Sequence, residues 1–333
     1  MPSVTLGDMA QGFLLRKQNV ALQAEAQRLA TEVATGRAAD PARAVRGDLV
    51  PVSAIETSLR RLDGYRAATN DADLVATGMQ QVLGVLDGLA DGLTTTLLQA
   101  GSGGQRAMLG IAGVEGEGRL ASALAALDTQ LGGRSLFAGE AVQGPATIGS
   151  DALLGLLDGV VAGAASGDEV ADRVAAWFSD PAGYAALAYV GGAPAGDLPL
   201  SQTASVSLDI TAADPAIRAT IEGLALAALL ASGSIPPDEG ARVVIAARAA
   251  DTLLAAKTPR TDLAAGLGLA EARISDARDR NDAEAAALKL ARSALLDVDS
   301  YEVSVRLEAT QTQIETLYAV TARLSRLSLV DYL

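Results

Sequence analysis

The sequence contains no cysteine and no histidine. Their absence excludes Ser-His and Cys-His nucleophilic pairs, His/Cys metal cages, haem ligation and redox thiols. A secreted chain of this size would then depend on packing or assembly in place of disulfides. Aromatic residues are scarce, with three Phe, one Trp and six Tyr among 333 residues, so no base-stacking platform is available. A net charge of -14 opposes both nucleic acid and an anionic membrane as partners. Long apolar runs are also missing: Leu153 to Ala165 is interrupted by Asp158 and Leu224 to Ala231 is short against the roughly 20 helical residues a bilayer needs. Met1 to Met9 has neither a basic n-region nor an apolar h-region, which predicts a soluble chain or one exported without a cleaved Sec signal. Proteins are the partners this composition leaves.

Half of the residues are apolar, and most of that half is Ala, Leu and Val. Small side chains with high helix propensity favour long, slender, closely packed helices over a thick core, and the length suffices for two domains with a core each. At the C-terminus the last Pro is Pro259 and the last Gly is Gly268, leaving a helix-compatible tract to Leu333. Within it Ile314, Leu317, Val320, Leu324, Leu327 and Val330 recur at intervals of 3, 3, 4, 3 and 3, one stripe close to a coiled-coil seam. The N-terminal tract between Gly12 and Gly36 carries Leu15, Leu22, Ala26, Leu29 and Val33 at spacings of 7, 4, 3 and 4. Both ends therefore want a partner helix, in the same chain or in a neighbouring subunit.

Between them, Ile55, Leu59 and Leu62 begin a second helical pattern after Pro51. Leu74 to Leu98 forms a third, with Gly84, Gly88 and Gly92 on one face for close helix approach, and Gln105 to Leu131 a fourth, ended by Gly132-Gly133. After Gly139 breakers become frequent. Short helices are predicted at Leu153 to Ala165 and Glu169 to Phe178, short strands at Ala188 to Val190 and Val206 to Thr211, and helices at Ala216 to Leu230 and Glu239 to Ala256. Residues 140–260 hold 14 acids and 6 bases, so most of the net charge lies in this insert, which reads as a solvent-facing domain. The acidic pairs Asp71/Asp73, Glu115/Glu117, Asp238/Glu239 and Asp297/Asp299 fit no calcium-loop pattern and are predicted to be solvated surface. Gly101 to Gly104 and Gly113 to Gly118 follow no strand and carry no Lys-Ser/Thr, so they read as turns or bends rather than phosphate loops.

At this point a resemblance becomes specific. Thr316 to Leu333 resembles the terminal helix of the flagellin family, and the segment Thr35 to Ala44, with Gly36, Asp40 and Pro41, resembles the Gly...Asp-Pro...Ala loop after that family's first helix. The run Gly133-Arg134-Ser135-Leu136-Phe137-Ala138-Gly139 is similar to a G-R-x-L-F-A-G signature more typical of the family's hook-associated junction proteins than of filament flagellin. Asp128-Thr-Gln-Leu precedes it, in place of the Asn that family members often carry. The resemblance covers about residues 1–140 and 261–333.

It implies a mainly α fold in which residues 1–46 and 290–333 form inner arms, an antiparallel coiled-coil bundle. It further implies that 47–139 with 261–289 form a helical middle domain with hairpins, and that 140–260 form a small mixed α/β outer insert. It also implies a non-enzymatic structural adaptor between flagellar hook and filament, assembled as a ring of copies and exported through the type III apparatus to the extracellular flagellum. The implied partners are itself, an adjoining hook-associated protein, flagellin and an export chaperone, with no cofactor or metal and no small-molecule substrate. The resemblance leaves a divergent flagellin open as well, since the C-terminal motif is shared by both, and the residues read alone leave a cytosolic coiled-coil adaptor and an acid/base enzyme using Asp and Glu only.

Overall fold

The computed structural model describes residues 6–103 and 106–330, with side chains on the two terminal helices described between Gly12 and Arg323. The described residues are mainly helical. In chain order they form α1 (Leu6–Thr35), α2 (Pro41–Ala44), α3 (Val50–Gly103), α4 (Arg106–Leu127), β1 (Gln130–Leu131), β2 (Arg134–Ser135), α5 (Ser150–Val161), α6 (Gly167–Ser179), α7 (Tyr184–Leu187), β3 (Leu198–Pro199), β4 (Ser205–Val206), α8 (Pro215–Ala228), α9 (Glu239–Leu296) and α10 (Ser300–Val330). The chain divides into two compact units: one holds the residues up to Asp63 and those from Ala283, the other spans Gly64–Asp282.

Several predicted segments merge or shift. The second and third helical patterns are one helix, α3, in which Pro51 occupies the second position, where its missing N–H is not needed. The fourth tract ends at Leu127, and Gln130 and Leu131 instead pair with Ser135 and Arg134. Gly132 and Gly133 have φ of +58° and +80°, the left-handed pair that a two-residue hairpin turn requires. Of the two predicted strands, Tyr189 contributes a single bridge to Thr147. Val206 pairs with Leu198 in β3–β4, while Leu208 to Thr211 forms no strand.

The C-terminal tract is not unbroken. α9 carries Pro259 in its interior, and the chain leaves the helix at Asp297–Asp299 before α10. Two features explain the break. Asp299 Oδ1 accepts from the N–H groups of Tyr301 (2.9 Å) and Glu302 (3.3 Å), an N-cap that starts a new helix. The Ala38 N–H also donates to Leu296 O (2.8 Å) and the Val298 N–H to Gly36 O (3.1 Å), so a distant loop takes up the freed backbone groups. Of the acidic pairs read as solvated surface, Asp297/Asp299 thus helps form a helix break. Asp73 pairs with Arg278 at 3.0 Å, Glu115 with Arg119 at 2.6 Å, and Asp238 accepts from the Ala241 N–H at 3.0 Å.

In the second unit the core runs along α3 and α4 and through α5, α6 and α8. α8 is the most enclosed element, with Ile217, Ile221, Leu224 and Ala225 fully buried. Gly113 to Gly118, expected as a turn, lies inside α4 and explains how α8 approaches so closely. A Cβ on Gly113 would fall 2.5 Å from Ala231 N, and one on Gly116 2.7 Å from Ala228 N, whereas Gly118 faces open space. Gly116→Ala is therefore expected to destabilise this unit by about 1–3 kcal/mol through overpacking. Gly118→Ala should stabilise it by about 0.5–1 kcal/mol through helix propensity. Denaturant midpoints that shift in the same direction for both would contradict the close approach. The Gly84, Gly88 and Gly92 face serves another purpose than the predicted helix approach: Gly84 and Gly88 meet nothing, and Gly92 leaves space for the Arg119 guanidinium, whose Nη1 donates to Leu89 O at 2.9 Å.

Candidate assembly surface on the terminal helices

In the first unit α1 and α10 pack antiparallel, since Gln23 Nε2 donates to the Tyr318 hydroxyl (3.0 Å) while the Gly36 end of α1 meets Val298. The inward row of α1 is Leu15, Asn19, Leu22, Ala26, Leu29 and Val33, and that of α10 is Val303, Leu307, Thr310, Ile314 and Leu317. Both rows alternate steps of three and four, the 3.5-residue repeat that keeps a seam facing its partner. Leu29 is the deepest, at 1% exposed, with Val303 at 5%; Leu15, Leu22, Val33, Ile314 and Leu317 are half-buried. Val320 stands off this row and is 43% exposed. The side chains of Leu324, Leu327 and Val330 lie outside the described residues. Asn19, Val303, Leu307 and Thr310 were not picked out in the sequence; the polar members break the apolar count, although their spacing fits the heptad.

One row per helix does not cover the apolar surface of the pair. Phe13, Leu14 and Val20 on α1 and Tyr301, Val305 and Tyr318 on α10 are each about half exposed or more. An open apolar groove lies between the helices at the end where Leu15 and Asn19 face Leu317 and Thr321. Phe13, Leu14, Val20 and Tyr318 lie toward this end and Tyr301 and Val305 toward the other, and exposed apolar side chains beside an open groove mark a candidate interaction site.

The opposite end of the pair carries a network of charged side chains beside the exposed Tyr301 and Val305. Glu32, 4% exposed, accepts from Arg28 Nη1 (2.6 Å) and from the Ala39 N–H (3.1 Å). This side chain ties the α1 helix to the Gly36–Asp40 loop. Gly36 has φ +68°, a conformation glycine adopts without a Cβ penalty. Asp40 then caps α2 by accepting from the Arg43 N–H, with Pro41 at its first turn. Glu25 is held below the usual carboxylate range, first by its hydrogen bonds to Arg28 and further by the charges of Arg28, Arg43 and Arg306, with burial opposing. A carboxylate whose folded pKa is depressed contributes stability above its unfolded value of about 4.3, and that contribution is lost as pH falls through the folded value. The Glu25–Arg28 end of α1 should therefore weaken on acidification from pH 6 to pH 3, and a Glu25→Gln variant should show a smaller loss of α1 protection by hydrogen exchange over that range.

In the second unit the Gly133 to Gly139 motif is a hairpin followed by a buried anchor. Leu136, Phe137 and Ala138 are buried, and Arg134 is exposed on β2. The Phe137 carbonyl accepts from the Ala212 N–H (2.9 Å) and the Ala138 carbonyl from the Gly192 N–H (2.8 Å). Gly139 has φ +59°, and a Cβ there would lie 2.2 Å from Ala193 O. Asp128, standing before the hairpin, accepts from the N–H groups of Ala146 (2.8 Å) and Thr147 (2.9 Å) and so clamps the backbone of that segment.

Among the described residues no group of acids is placed to hold a metal ion, and no helix is long and apolar enough to cross a membrane. No curated protein matches the chain. Residues 251–333, the later part of α9 with α10 and the chain end, match the family model of the bacterial flagellin C-terminal helical region.

Proposed function

We propose that this chain is a flagellar structural subunit that joins hook to filament as a ring of copies, its terminal helices packing against those of its neighbours. The flagellin-type match over residues 251–333 carries the flagellar part of this reading. The apolar side chains left exposed on the paired helices support the packing between copies, and the Gly133 to Gly139 hairpin, with its resemblance to hook-associated junction proteins, supports the junction over the filament. In this scheme residues 1–46 with 290–333 are the inner arms, 47–139 with 261–289 the middle domain and 140–260 the outer domain. The chain is exported without a cleaved signal with the help of a chaperone, contacts a hook-associated protein on one side and flagellin on the other, and has no enzymatic role. Deleting the gene tests it: hooks should still assemble while unpolymerised flagellin escapes into the medium. Loss of filament with no escaping flagellin would overturn the junction role. A divergent flagellin is the second reading, because the C-terminal match is shared by both; filaments composed of this chain would establish it.

A further inference from the structure

Within the second unit α9 runs antiparallel to α3, joined by the ion pairs Asp73–Arg278 (3.0 Å), Asp87–Arg260 (2.6 Å) and Asp91–Lys257 (2.8 Å). These pairs do not share one register. Asp91 lies 18 residues after Asp73 and Arg260 lies 18 residues before Arg278, about five helical turns in each case. The register that pairs Asp73 with Arg278 therefore sets Arg260 opposite Asp91. Arg260 hydrogen-bonds Asp87, one turn away, and keeps only a long ion pair of 4.0 Å with Asp91, which Lys257 holds at 2.8 Å.

The guanidinium lies between the two carboxylates. Arg260 is 1% exposed. Its Nε donates to Asp87 and its Nη1 to the Thr220 hydroxyl on α8 at 3.0 Å, while Nη2 is buried without a hydrogen bond, 4.0 Å from Asp91 Oδ1. An unmade bond on a buried, charged donor is costly, and here the acceptor that would satisfy it stands just out of reach. Asp91 and Lys257 are about half exposed, so Lys257 can exchange into water at little expense.

We infer that Asp87, Asp91, Lys257 and Arg260 form a two-position latch between α3 and α9: Arg260 passes between Asp87 and Asp91, and Lys257 holds Asp91 in one position and is released to solvent in the other. The exchange moves the Arg260 guanidinium by one turn of α3 without unpairing the buried cation, while Asp73–Arg278 holds the register of the two helices. Its existence does not depend on the assembly role proposed above.

The test uses the isolated full chain. Asp87→Asn and Asp91→Asn should each lower the thermal midpoint by less than ~3 °C, because the other carboxylate receives Arg260, whereas the double variant should lose roughly 10 °C by leaving a buried arginine unpaired. In ¹⁵N guanidinium spectra, assigned by loss of the signal in Arg260→Lys, the Arg260 resonances of Asp87→Asn and Lys257→Met should coincide. Both should differ from Asp91→Asn, and the wild type should lie between them with microsecond-to-millisecond exchange broadening. A midpoint for Asp87→Asn as low as that of the double variant, or Arg260 resonances unchanged from wild type in all three single variants, would overturn the latch.

Discussion

Gly139→Ala is expected to destabilise the second unit by about 3–5 kcal/mol, the range reached when backbone strain and a buried clash coincide. Two costs act together. The residue sits at φ +59°, and the added Cβ would lie 2.2 Å from Ala193 O and 2.9 Å from Gly192 O. Those are backbone atoms, so relief requires moving the 192–193 segment. Its hydrogen bonds are the ones that fix the motif: the Gly192 N–H donates to Ala138 O and the Glu140 N–H to Ala193 O, both at 2.8 Å. The loss should propagate to Phe137, whose carbonyl holds Ala212. Chemical denaturation of the purified chain reads the effect, and Gly132→Ala serves as the comparison. Gly132 has nearly the same φ, +58°, but meets nothing within 4 Å, so its loss should stay near the 1–2 kcal/mol of the left-handed backbone alone. Equal losses in the two variants would show that the contact with Ala193 carries no weight.

Leu29→Asp should abolish assembly. Leu29 is the deepest side chain of the α1 row at 1% exposed, and burying an unpaired carboxylate there costs several kcal/mol. An isolated helix pair has little reserve against that loss, given about 1–2 kcal/mol of backbone entropy per ordered residue. The expected product is a monomer in which protease trims the first ~40 and last ~40 residues, as it does exposed termini. The segment from about Val52 to Leu290 should resist and should still unfold cooperatively. Val20→Asp separates pairing within the chain from packing between chains. Val20 is 66% exposed, so this change should leave the α1–α10 pair protected from protease and still prevent polymers seen by sedimentation and electron microscopy. Polymers formed by Val20→Asp at wild-type yield would remove the exposed face of α1 from the assembly surface.

The two variants probe features of different legibility. That each terminal helix has an apolar face could be read from spacing, but of the α10 residues read as a stripe only Ile314 and Leu317 lie on the described inward row, and Val320 stands off it. Gly132-Gly133 was legible as a break, because two adjacent glycines end a helical tract, while the hairpin they turn was not, since Gln130 and Leu131 read as helix. The missing histidine and cysteine removed whole classes of chemistry before any fold was known. Each of these conclusions depends on residues close together in the chain.

What spacing could not decide depends on residues far apart. Asp297–Asp299 breaks the C-terminal tract because the Gly36–Ala38 loop supplies partners for Leu296 and Val298, about 260 residues away in sequence. Gly113 and Gly116 read as a bend because glycine is a poor helix former, yet the end of α8 at Ala228 and the backbone after it at Ala231 require their missing Cβ atoms. Pro259 reads as a boundary for the same local reason, but α9 continues through it, flanked by Lys257 and Arg260 bound to α3. Local propensity fixed where helices could form and which face of each was apolar. Tertiary contacts decided where those helices stop, which glycines touch a neighbour and which arginine is buried, because bonds and clashes of a few kcal/mol between distant segments outweigh preferences of about 1 kcal/mol per residue.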